Sequence, residues 1–130
     1  MEKKQDSGLS CFLIVMKFHG IPITKEQAEN LSVLDPEQKI GEIEIIESAK
    51  ALKMRAKLCR LKISKLNNVS APIIAKDKND EFFIIAKSKD DSFMILFADK
   101  TQPEIKTREE LAEIWDGTAI LITKKGVMDR

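Results

Sequence analysis

Asp6-Ser7-Gly8-Leu9-Ser10-Cys11, running straight into Phe12-Leu13-Ile14-Val15-Met16, decides how the rest of the chain must be arranged. Asp6 and Ser7 carry short oxygen side chains that accept from the free N–H groups of a new helix, and the residues after them are almost wholly apolar. A helix with so little polar surface belongs in the interior, so the pattern predicts a buried central helix whose first turn faces whatever lies above it. Lys17 and His19 close the apolar run, and Gly20-Ile21-Pro22 breaks the helix there.

Beyond this break, Thr24 and Gln27 have capping-box spacing, predicting a second helix of roughly ten residues that reaches Leu34 before a turn at Asp35-Pro36. Ile43, Ile46, Ala49 and Leu52 recur at helical spacing and predict a third helix over residues 40–52. From Lys53 the period becomes two. Met54, Ala56 and Leu58 alternate with Arg55, Lys57 and Cys59, the rhythm of a half-buried strand with Leu58 on its apolar side. Ser64-Lys65-Leu66-Asn67-Asn68 reads as a short helical turn. Apolar runs at 71–75, 82–86 and 93–97, separated by polar turns, predict antiparallel hairpins. Thr107 caps a last helix over 108–115 with Glu110 at the capping-box position, Asp116-Gly117 turns the chain, and 118–123 makes a closing strand. Helices first and an antiparallel sheet second is an α+β layout with the apolar first helix packed on the sheet.

With 130 residues and 43% hydrophobic content, one ordinary core and a single domain over 1–130 are expected. A net charge of +1 supplies no global drive towards nucleic acid or membrane. Cys11 and Cys59 are too few for a disulfide scaffold and suit a reduced, cytoplasmic setting. Met1-Glu2-Lys3-Lys4 before an apolar run imitates a signal peptide, but Asp6 and Gly8 precede the run and no small-residue cleavage site follows it. No apolar stretch approaches the roughly 20 residues that span a bilayer. Residues 124–130 lose the pattern, as expected where a domain joins a longer chain.

His19 is the only histidine. Twelve positions along one helix put it about 18 Å from Ser7, and eight positions put it about 12 Å from Cys11, whereas a nucleophile and its base must meet at about 3 Å. Cys59 sits in a strand pattern with no helix terminus to activate it. His19 therefore reads as a cation near the last carbonyls of the first helix. One His and two scattered Cys make no metal site, and five dispersed glycines write neither a P-loop nor a dinucleotide fingerprint, so no metal and no cofactor are expected. Asp90-Asp91 and Glu109-Glu110 are solvated caps, and Trp115 is a core anchor.

Charge distribution says more than net charge. Between Ser48 and Lys76 there is no Asp or Glu, while Lys50, Lys53, Arg55, Lys57, Arg60, Lys62, Lys65 and Lys76 are basic. Such a stripe is either the lysine-guarded face of an edge strand or a surface for an acidic partner. Without interleaved aromatics, nucleic acid is the weakest of the partners considered, behind an unfolded acidic polypeptide and a phospholipid surface.

Asp6-Ser7-Gly8, the apolar helix and Gly20-Ile21-Pro22-Ile23 together resemble the amino-terminal domain of bacteriocin-processing ABC transporters, a papain-like cysteine-peptidase family. The resemblance continues through Ala49-Lys50-Ala51-Leu52-Lys53-Met54, Leu66-Asn67-Asn68-Val69-Ser70-Ala71-Pro72-Ile73-Ile74 and Glu113-Ile114-Trp115-Asp116-Gly117. It implies a papain-like α+β fold with N-terminal helices on an antiparallel sheet. The family's triplet is Asp-Cys-Gly, so its nucleophilic Cys matches Ser7; its His matches Phe82, its Asp matches Asp99, and its oxyanion-hole Gln falls on Met1. A carboxylate does not activate a hydroxyl without the imidazole between them, so no catalytic residue is expected. The pattern is similar to the peptidase-like domain that opens type I secretion transporters for RTX toxins and adhesins, which lacks peptidase activity and binds unfolded substrate.

That likeness implies a non-catalytic domain at the cytoplasmic face of the bacterial inner membrane, followed by the transporter's own membrane and nucleotide-binding domains. The partner it implies is an unfolded secreted RTX-type polypeptide; the transporter is expected to be dimeric and the isolated domain monomeric. Candidate substrate contacts are Lys50, Lys53, Arg55, Lys57, Arg60 and Phe82, joined with the cleft at Ser7, Phe82 and Asp99 into one docking surface. Two alternatives stand beside it: residual leader-peptide hydrolysis by Ser7 or a thiol, and a structural role docking the nucleotide-binding domain.

Overall fold

A computed structural model describes residues 7–24, 26–27, 40–69 and 72–124. Helix α1 (Ser7–Phe18) buries Leu9, Cys11, Phe12, Val15 and Met16. Its end is a Schellman closure: Gly20, at φ +80°, donates its N–H to the Lys17 carbonyl at 3.0 Å, and Ile21 donates to Met16 at 2.8 Å. Expected to be buried all round, α1 instead leaves Ile14 and Phe18 exposed, Phe18 by 63%. The helix packs on one face of a sheet rather than at the centre of the molecule. Thr24 and Gln27 exchange both capping-box hydrogen bonds, at 2.9 and 3.0 Å. The rest of that expected helix, and the turn at Asp35-Pro36, lie outside the described residues.

Helix α2 (Glu42–Ala51) starts after Gly41, whose N–H donates to Glu44 Oε1 at 2.9 Å. It buries Ile45, Ser48 and Ala49, and Lys53, in the left-handed region at φ 66°, turns the chain into the sheet. The strands are β1 (Met54–Arg60), β2 (Ile73–Asp77), β3 (Phe82–Lys89), β4 (Ser92–Phe97), β5 (Glu104–Thr107) and β6 (Trp115–Lys124). A 3-10 turn (Ile63–Asn68) follows β1, and α3 (Arg108–Ile114) stands between β5 and β6.

All the pairings are antiparallel, in the order β1-β6-β2-β3-β4-β5. The closing strand thus enters between β1 and β2, registering Ala56 with Ile122 on one side and Ile74 with Ile120 on the other. Alternation in the central strands sends side chains to two cores. Ile74, Phe82, Ile84, Ile120 and Ile122 meet α1 and α2, while Ile73, Phe83, Ile85, Phe93, Ile95 and Trp115 meet Leu66 and Leu111. The unbroken apolar run at 82–85 is therefore a strand covered on both faces.

Three local readings change. Leu58 is 47% exposed, because the helical layer covers only Met54 and Ala56; Cys59 turns to the opposite core instead. Asp116-Gly117 is no turn but lies within β6, at an irregularity where the pairing with β2 shifts register. Asp116 Oδ1 accepts from the Thr118 amide at 2.7 Å there, and Gly117 takes φ +95°. Finally, Glu104–Thr107 forms an edge strand that no alternation in the sequence signalled. Thr107 does cap α3, exchanging 2.9 and 3.1 Å bonds with Glu110.

Candidate functional site

The β2–β3 hairpin is drawn tight by Asp77, whose Oδ1 accepts from the amides of Asn79 and Glu81 at 2.8 and 3.0 Å. Asp80, at φ 66°, completes the turn. This closure brings Glu81 and Phe82 against the first turn of α1. Ser7, only 8% exposed, donates its hydroxyl proton to Glu81 Oε1 at 2.9 Å and accepts from the Phe82 amide at 2.8 Å. The hydroxyl therefore ties together segments more than seventy residues apart, with its proton directed to a carboxylate. The Phe82 ring, 6% exposed, packs in the core beneath α1.

A cleft of about 620 Å³ opens beside this junction, lined by Ser7, Asp77, Asn79, Glu81, Phe82, Phe97, Ala98 and Asp99. Ser7, Phe82 and Asp99 thus share one cavity, with Asp99 on an exposed turn held by the 3.1 Å bond from the Lys100 amide to the Phe97 carbonyl. Asp77, Glu81 and Asp99 give the cleft three carboxylates, and its described lining holds no lysine or arginine. A smaller depression of about 280 Å³, on Ile40, Gly41, Glu42, Lys76 and Asp80, meets the cleft at Ser7 and Phe82. Lys76 is paired there with Glu42 and, at 3.5 Å, with Asp80. The hydrogen bond to Lys76 holds the Glu42 carboxyl below its ordinary value, and the same bond raises the lysine.

His19 lies at the other end of α1, where its Nε2 donates to the Ile122 carbonyl of β6 at 3.0 Å. It binds the sheet rather than the last carbonyls of its own helix, which the backbone amides of His19, Gly20 and Ile21 satisfy. Cys11 is wholly buried and Cys59 packs in the core on the far face of the sheet. Among the described residues no imidazole approaches Ser7, and no group of His, Cys, Asp and Glu is placed to hold a metal ion.

The basic stripe is divided. Lys50, Lys53, Arg55, Lys57 and Arg60 are exposed, the first at the end of α2 and the others on or beside β1, the last strand in the order among the described residues. Arg60 Nη2 donates to the Asp116 carbonyl at 2.6 Å, and Lys76 leaves the stripe for its ion pairs. β6 and β2 stand between β1 and β3, so three strand spacings, about 14 Å, separate the stripe from the cleft. The expected single docking surface is therefore two regions of opposite charge. Sequence reasoning missed Glu81, whose only signal was a charge at the head of an apolar strand.

The chain matches the peptidase C39 family over residues 1–126, and it belongs to that family. Its fold, helices packed on an antiparallel sheet, is the papain-like α+β fold of peptidase C39 domains. It superimposes with a TM-score of 0.81 and 18% identity on the N-terminal peptidase C39 like domain of the toxin secretion ATP-binding protein from Vibrio parahaemolyticus, covering 95% of this chain and all of that one. A double glycine motif protease from an AMS/PCAT transporter, solved in complex with the leader peptide, matches with a TM-score of 0.82 and 16% identity over 96% of this chain and 89% of that one. Among curated relatives, the exotoxin translocation ATP-binding protein PaxB of Pasteurella aerogenes is 24% identical over 127 residues, 95% of this chain. The chain spans 18% of the length of the curated relatives it matches.

Proposed function

We propose that this is the catalytically inactive peptidase-like domain of a type I secretion ABC exporter, and that it holds an unfolded secreted polypeptide of RTX type beside the transport path. Ser7 and Phe82 are read as the replaced nucleophile and imidazole positions of the family, and Asp99 as its retained carboxylate. The observation that carries this reading is the Ser7 hydroxyl, tied between the Glu81 carboxylate and the Phe82 amide. An ordinary carboxylate is about two pK units less basic than imidazole, a poor proton acceptor for a serine nucleophile near neutrality. The likeness to a toxin translocation protein supports the exporter context: the cytoplasmic face of the inner membrane, with the transporter's membrane and nucleotide-binding domains as further partners and a dimeric transporter around a monomeric domain.

The test is a pair of measurements on the same protein. A labelled double-glycine peptide should remain intact over hours, and an acidic unfolded polypeptide should bind with an affinity that falls as salt rises, since the screening length shrinks from about 10 Å at 0.1 M to about 3 Å at 1 M. Peptide cleavage that disappears in Ser7→Ala would overturn the inactive assignment. Absence of polypeptide binding at low salt would remove the holding role. Leader-peptide hydrolysis keeps one supporting observation, the open cleft beside Ser7, and the cleavage measurement decides it.

A further inference from the structure

Arg55, Lys57 and Cys59 of β1 direct their backbone groups towards β6, as does Leu61, whose amide reaches the Gly117 carbonyl at 2.9 Å. By the alternation of an antiparallel ladder, Ala56, Leu58 and Arg60 point theirs the other way, out of the sheet. Nothing among the described residues pairs with that side, because β1 is the last strand in the order. At the opposite edge, β5 has four residues, and Glu104 there is paired with both Lys100 and Lys106. β1 is seven residues long, and its charges are of one sign.

We propose that the outer edge of β1 takes up an extended acidic segment of the secreted polypeptide as an additional antiparallel strand. This rests on the holding role above and names how the segment is held: main-chain hydrogen bonds to Ala56, Leu58 and Arg60 supply the attachment, and side chains supply selection. In such a strand the residues sharing a face with Arg55 and Lys57 are carboxylates. Those between them share a face with Leu58, whose exposed side chain offers an apolar contact. The same charges oppose pairing between two copies of this chain, since Arg and Lys would face Arg and Lys. Basic residues on this edge thus discourage self-association while admitting a strand of opposite sign. The acidic cleft at Ser7, three strands away, disfavours the same segment.

The probe is a fluorescein-labelled Asp-Val-Asp-Val-Asp-Val-Asp peptide with blocked ends, titrated by anisotropy into the 130-residue protein. Beside it stands the same peptide N-methylated at its three valines, whose amides face β1 in the antiparallel pairing; charge is kept and the donors are lost. Binding of the first and at least a roughly tenfold weaker binding of the second are expected. Leu58→Pro removes an outward N–H without touching the ladder to β6, and should weaken the unmodified peptide about tenfold relative to Leu58→Ala. Equal binding of the two peptides would overturn strand addition while leaving the holding role intact. Failure of the unmodified peptide, with an acidic unfolded polypeptide still bound elsewhere, would overturn the edge as the site. Capture of anionic phospholipid vesicles in place of the peptide would overturn it in favour of a membrane contact.

Discussion

Ser7 and the outer edge of β1 treat their polar groups in opposite ways. At the cleft, the hydroxyl, the Phe82 amide and the Glu81 carboxylate are consumed by one another; on β1, the amides of Ala56 and Leu58 and the lysines beside them are directed outward. Ser7 is thus a structural joint between α1 and β3, whereas the outward-directed groups lie on β1, the last strand in the order among the described residues. Substitutions at the joint should therefore change stability and those at the edge should change binding.

The largest expected effect is at the joint. Phe82→Ala removes a core ring under α1 and should cost about 3–5 kcal/mol, read as a fall in the urea midpoint. Ser7→Ala leaves the Phe82 amide without its acceptor and should cost about 1–3 kcal/mol, and on the proposed inactive reading neither protein should cleave a double-glycine peptide. At the edge, replacing Lys53, Arg55 and Lys57 together by Gln should shift stability by only about 0.5 kcal/mol per site, as is usual for surface positions. The same triple variant should weaken binding of an acidic polypeptide by about tenfold at low salt; a large stability loss without a binding loss would erase the contrast.

The smallest effect is a pH dependence at the depression next to the joint. Lys76 holds the Glu42 carboxyl below 4.5, so the contribution of the pair is complete above pH 4.5 and is lost as pH falls through the lower folded-state value. Lys76 is raised above 10.5, so at alkaline pH the contribution is complete below 10.5 and is lost as pH rises through the higher folded-state value. The difference in urea midpoint between the wild type and Glu42→Gln should be present at pH 7 and vanish under strong acid. A difference that persists there would assign the effect to packing.

Much of the fold was legible because its signals are local. The closure of α1 at Gly20, the capping boxes at Thr24 and Thr107 and the apolar strands at 73–77, 82–89 and 92–97 depend on neighbours within a few residues. Leu58 misled because alternation names two faces without saying how far the helical layer extends over either. Asp116-Gly117 misled because the same dipeptide serves a turn or a bulge, and pairing with β2 decides which. At the candidate site, the isolation of His19 from Ser7 followed from helix geometry alone. The Glu81 partner did not, because its contact with Ser7 closes a loop of more than seventy residues.

By itself, then, the sequence determined an α+β chain with an apolar first helix, a single imidazole out of reach of any hydroxyl on that helix, and a basic segment from Lys50 to Lys65. Only the tertiary structure decided that β6 enters between β1 and β2, that β1 is consequently the last strand among the described residues, and that the cleft and the basic segment stand apart with opposite charge. The reason is one of range: helix caps and strand alternation are set by interactions over a few residues, whereas strand order and site assembly are set by which distant surfaces bury each other best.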